Sequence, residues 1–153
     1  MIDGTWPKFQ EITVRICFDP GTLRQSRSGS ITGVVYFEFS PEQQFPGLGW
    51  NDFVVVLASW WMVALKEITE RASKVELRFM DGPYWISVIS RDGGLLLRCT
   101  EDRRDAGVVH EHSVELLDLT GEIFAFARKV SDACKKAGIS SVDLDNMRTA
   151  LPN

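Results

Sequence analysis

From Phe53 to Leu65 the chain reads FVVVLASWWMVAL, thirteen residues without a charged side chain. A helix of this composition has no polar face to turn to water, so it is expected to be covered nearly all round, with the rest of the chain arranged about it. The run is shorter than the roughly 18 to 20 apolar residues that cross a bilayer, which makes it a core helix and argues against a membrane span. Asn51 and Asp52 precede it, where side-chain oxygens can accept from the first free N–H groups, so the helix is predicted to start at this pair and run to about Ala72. Trp60 and Trp61 are adjacent and therefore point about 100° apart on the helix. One can enter the core while the other caps its edge; the plain reading is that the tryptophans are all core, and the alternative is that one stands exposed as an anchor at an interface.

Strand patterns surround this helix. Glu11 to Phe18 alternates, with Ile12, Val14, Ile16 and Phe18 on one face, and Ile31 to Phe39 alternates likewise. The stretch between them, Asp19 to Gly29, is rich in Pro, Gly, Ser and Arg and reads as a long loop joining a hairpin. Arg24 and Arg27 lie in it, where an exposed basic loop is usually only solvated. After the helix, Lys74 to Met80, Tyr84 to Arg91 and Leu95 to Thr100 are separated by Asp81-Gly82-Pro83 and Asp92-Gly93-Gly94, short turns that define an antiparallel meander. A further strand at Val108 to Leu116 precedes a helix over Leu119 to Ala137, stopped by Gly138. A short helix over Val142 to Leu151 follows, opened by Ser140 or Ser141 and closed by Pro152. The order ββα-ββββ-αα, with no alternating strand and helix units, predicts one α+β domain over residues 1–153. It would be a mainly antiparallel sheet of about six strands carrying the apolar helix and the C-terminal helices.

A chain of 153 residues can bury a sizeable core without metal or disulfides. Cys17, Cys99 and Cys134 are an odd, widely spaced set that suits reduced, buried thiols. The opening MIDGTWPKFQ lacks a basic start and an apolar run, so no signal peptide is expected and the protein is placed in the cytoplasm. The net charge is −4, and it is unevenly spread. Between Asp105 and Ala127 stand Asp105, Glu111, Glu115, Asp118 and Glu122 with no Lys or Arg, a local charge of −5. Such a run is most often a solvated face with helix-start carboxylates; the functional alternative is a surface that attracts a basic partner. Direct nucleic-acid binding is disfavoured, because phosphates require clustered positive charge. The residues expected to touch a partner are Glu101, Asp102, Asp105, Glu111, Glu115 and Asp118, together with Trp50.

Chemistry-bearing motifs are scarce. His110 and His112 alternate on a strand and face one way, but they are the only histidines and bring no further ligand at metal-site spacing. Neither a Gly-x-Ser-x-Gly elbow nor a cysteine with a catalytic signature is present. Gly47-Leu48-Gly49 lacks the lysine and the preceding strand of a phosphate loop. No catalytic residue, metal or cofactor is therefore assigned.

The run FPGLGWNDFVVVLASWWMVAL followed by KVELRFMDGPYWISV resembles small single-domain bacterial proteins of polymorphic and contact-dependent growth inhibition toxin systems. The likeness lies in Phe45 and Pro46, Trp50, Asp52 and Phe53, the pair Trp60 and Trp61, and Arg78 to Pro83, within Phe45 to Val88. The resemblance implies an immunity protein, which binds one cognate toxin domain, often a basic nuclease, and blocks it without catalysis of its own. These are mostly core and turn residues, which identify a fold better than a function. The competing reading is a small-molecule-binding protein or enzyme with a cleft between sheet and helices, lined by Trp50, Tyr84, Trp85 and the histidines.

Overall fold

The computed structural model describes residues 13–102 and 107–152. Its elements are β1 (Arg15–Gln25), β2 (Ile31–Ser40), β3 (Gln43–Phe45), β4 (Asn51–Asp52), α1 (Val54–Glu70), β5 (Lys74–Arg78), β6 (Tyr84–Arg91), β7 (Gly94–Glu101), β8 (Val108–Val114), α2 (Leu116–Lys136) and α3 (Val142–Ala150). The architecture is α+β, with two four-stranded antiparallel sheets where the sequence suggested one.

In the first sheet β2 is central. Its strict alternation puts Ile31, Val35, Phe37 and Phe39 into the core. β1 pairs along it, while β3 and β4 pair with it at separate positions, Phe37 opposite Phe45 and Gly33 opposite Asp52. The second sheet is the meander β5-β6-β7-β8, in the order and sense that its glycine turns predict.

α1 packs on β2, β5, α2 and α3, so its core contacts come from both sheets and both other helices. Trp61 is 1% exposed, its ring 5.3 Å from those of Phe37, Phe79 and Phe126, and its indole N–H donates to the Arg78 carbonyl at 2.9 Å. That bond satisfies the one polar atom of the residue and makes burial of so large a side chain favourable. The expectation of all-round cover fails along one stripe: Trp60 is 43% and Val63 58% exposed.

Three further boundaries differ. The Asp19 to Gly29 loop is mostly strand, since β1 continues to Gln25 past an irregularity between Asp19 and Arg24. There the Asp19 carboxylate accepts from Gly21 N–H and the Thr22 hydroxyl accepts from Val34 N–H, so side chains replace the interrupted ladder. Glu11 and Ile12 of the expected first strand lie outside the described residues. Asn51 and Asp52 do not cap α1; they form β4, and Phe53, which stands at the N-cap, has no side chain that can accept from the first turn. α2 starts at Leu116, three residues before the expected position, with Glu115 as its extended N-cap. The other ends are as expected: Gly138 follows α2 with φ +68°, and Ser141 caps α3 by accepting from Leu144 N–H at 3.0 Å. No helix among the described residues is long and apolar enough to cross a membrane.

Candidate partner-binding surface

Asp52 builds one end of the molecule. It is 1% exposed, and a carboxylate removed from water must collect donors. It takes four: Phe53 N–H at 2.7 Å and Met80 N–H at 3.2 Å on Oδ1, the Trp50 indole N–H at 2.9 Å and Asp81 N–H at 3.2 Å on Oδ2. The segment before α1 is thereby stapled to the β5–β6 turn with the Trp50 ring fixed beside it. The Trp50 backbone is held as well, its N–H to Gly47 and its carbonyl to Val35 N–H.

The ring then packs on the turn itself. Gly82 adopts φ +135°, and a Cβ there would stand 2.9 Å from the indole, so both backbone conformation and space demand glycine. Tyr84 meets Trp50 edge to face at 5.1 Å, and its hydroxyl donates to Glu101 at 3.4 Å across the β6–β7 pair. Asp102 is anchored through its own N–H to the Pro83 carbonyl at 2.8 Å. Trp50, Glu101 and Asp102, some fifty residues apart in sequence, are thus brought to one rigid corner with Asp102 exposed. A planar aromatic next to carboxylates suits an arginine or lysine side chain, through cation–π attraction and charge-assisted hydrogen bonds.

The remaining acids are dispersed. Glu111 pairs with Arg98 across β7 and β8, which offsets its charge. Glu115 and Asp118 sit at the start of α2 and line a shallow cleft with Arg91 and Asp92, at the β6–β7 turn. That is the far end of β7 from Glu101, roughly 23 Å away at the usual rise per strand residue. Asp118 stands in the first turn of its helix, where negative charge is favoured by the helix dipole. Glu122 accepts from Ile16 N–H of the edge strand β1 at 2.8 Å and serves the fold. Asp105 lies outside the described residues. The acid-only stretch is therefore not one acidic face, because arginines of neighbouring strands come up beside it.

The histidines do meet: His110 Nδ1 and His112 Nε2 are 2.7 Å apart. Burial lowers the pKa of His110, and burial with the neighbouring imidazole brings His112 down to about 4. Among the described residues, no group of three or more His, Cys, Asp or Glu is placed to hold a metal ion. The cleft imagined for a small molecule is not assembled either. Trp85 lies on the outer face of the second sheet, under the Arg78 guanidinium at 5.1 Å, while Tyr84 and the histidines face the other way. An open groove of about 730 Å³ lies elsewhere, between α1, α2 and α3, with Met62, Leu65, Leu117 and Phe124 in its wall.

Comparison of the chain with protein-family models, with curated proteins and with solved structures finds no match. The fold is an α+β domain in which the corner around Trp50 joins an aromatic ring to neighbouring carboxylates.

Proposed function

We propose that this protein is an immunity protein that neutralises a basic toxin domain by binding it, with Trp50, Glu101 and Asp102 at the centre of the contact. The observation that carries the reading is the corner itself: the Trp50 ring held by its own backbone bonds and by the buried Asp52, the Glu101 carboxylate accepting from the Tyr84 hydroxyl, and Asp102 anchored beside them through its main-chain N–H. Such preorganisation reduces the ordering cost of association. The carboxylates would steer a positively charged partner to the ring and reject neutral or acidic ones. The resemblance of Phe45 to Val88 to immunity proteins supports the same reading. On this account Glu115 and Asp118 contribute to the long-range field, outside the contact.

Co-expression tests it directly. A basic toxin domain encoded beside this protein should co-purify with it one to one and lose its toxicity in cells that carry it. A neighbouring gene product that neither binds nor is inhibited would end the proposal.

A further inference from the structure

The junction between the two sheets is closed by the two imidazoles of β8. The His112 ring lies flat on Phe39 of β2, centroids 3.9 Å apart and planes 9° from parallel, and the residue is 5% exposed. His110 meets Phe39 and, from β3, Phe45 edge-on at 5.7 and 5.8 Å. The 2.7 Å contact between His110 Nδ1 and His112 Nε2 is a hydrogen bond only while one of these nitrogens carries a proton and the other does not. His112 Nδ1 is buried without a partner among the described residues. The less costly arrangement therefore keeps the His112 proton on Nε2, donated to His110, because a buried lone pair without a donor is better tolerated than a buried N–H without an acceptor.

A single proton taken up at His112 Nδ1 keeps the Nε2–H bond to His110 but creates a buried N–H without an acceptor and a buried cation. A proton on His110 Nδ1 opposes the Nε2–H of His112, unless His112 moves its own proton to the orphan Nδ1 position. A proton on each ring removes the bond altogether and leaves two adjacent cations against phenyl rings. The elements packed on the pair offer no relief: β2 presents Phe39, β3 presents Phe45, and β7 presents Leu97 and Cys99 opposite His112 and His110. Cys99 is the one titratable group in that set, and burial pushes its thiol up, so it stays neutral. Glu38 pairs with Arg15 on the outward face of the first sheet. From His110 an edge-to-face chain runs to Phe45 at 5.8 Å, from Phe45 to Tyr84 at 5.7 Å, and from Tyr84 to Trp50 at 5.1 Å.

We infer that the His110–His112 pair is an acid-operated latch, which holds β8 against β2 and β3 while both rings are neutral and parts from Phe39 on protonation, loosening the aromatic chain that ends at Trp50. The latch is a property of the free protein; only its consequence for a partner rests on the function proposed above.

The sign follows from the folded state binding the proton less well than the unfolded chain. Its stabilising effect is complete above the ordinary histidine value of 6.5 and is lost as pH falls from there toward about 4. The experiment is a titration of the free protein from pH 8 to 4. NMR follows both imidazoles and the Trp50 indole N–H, assigned through Trp50→Phe. Chemical denaturation is run in parallel on wild type, on His112→Phe, which keeps a ring on Phe39, and on His110→Gln. The latch requires His112 to titrate well below its ordinary value and the Trp50 signal to move with it. It also requires the wild-type folding constant to fall relative to His112→Phe by up to about tenfold per pH unit in that window. Where His112→Phe does not fold, His110→Gln decides: with the facing imidazole removed, His112 should titrate closer to 6.5 and the pH slope should shrink. Two rings titrating independently near 6.5 with Trp50 unmoved, or variants losing stability in parallel with wild type, would overturn the latch and leave the proposed binding function standing.

Discussion

Trp61 and Asp52 show how single residues decide this fold. Trp61→Ala removes a ring wedged among three phenyl groups and should cost about 3–5 kcal/mol, whereas Trp60→Ala, on the exposed stripe of α1, should cost about 1 kcal/mol or less. Urea denaturation of the two variants checks this; equal losses would contradict the packing. That the two indoles point about 100° apart was legible from the helical period, but that one of them stands exposed was not. Nor was which one goes inward, because that depends on where the sheets lie. Asp52 was misread for a physical reason: an acid before an apolar helix looks the same whether it caps that helix or bridges to a distant turn. Its other donors, Met80 and Asp81, lie 28 and 29 residues further on, beyond the reach of a local pattern. The cysteines give a second check at this scale. Cys99 and Cys134 are fully buried, and burial raises the thiol pKa of the half-buried Cys17. Thiol reagent at neutral pH should react slowly with one cysteine at most in the native protein and with all three after denaturation without reductant. Fewer than three would reveal a disulfide.

At the scale of elements, the Ser141 cap, the Gly138 stop and the glycine turns of the meander were read correctly, whereas the starts of α1 and α2 were not. Ser141→Ala should destabilise by about 1 kcal/mol through the lost bond to Leu144 N–H, a loss that denaturation can measure against wild type. The meander was legible because alternating strands and glycine turns state their pairing outright. β3 and β4 were not, being three and two residues long inside a segment whose Pro and Gly signal only a turn. Pro20 and Gly21 hid the continuation of β1 in the same way. Gly82 is the turn residue against which the Trp50 ring is seated. Gly82→Ala should push the Trp50 ring from its seat, seen as a shifted indole N–H signal, while the core signals of Trp61 stay in place. A Trp50 signal that does not change would mean the ring is not held by this turn.

For the whole molecule, strand pairing separates the charge, and the proposed contact rests on that separation. Acids close in sequence are split between the two ends of the second sheet, and a ring from before α1 joins one group only. The sequence showed the count of carboxylates, but their neighbours Arg91 and Arg98 arrive through strand pairing, which composition does not reveal. Whether the corner of Trp50, Glu101 and Asp102 is the contact surface of the proposed complex is read from the kinetics of binding to the toxin domain encoded beside this protein. Glu101→Lys, Asp102→Lys and Trp50→Ala are compared with Glu115→Lys, each first shown to be folded, at low salt and at about 0.15 M. Reversal at 101 or 102 should slow association and hasten dissociation, and Trp50→Ala should mainly hasten dissociation. Glu115→Lys should change only the association rate, by a smaller factor that salt removes. Four variants with the same dissociation rate as wild type, or a larger effect at Glu115 than at Glu101 and Asp102, would contradict the account and place the contact elsewhere.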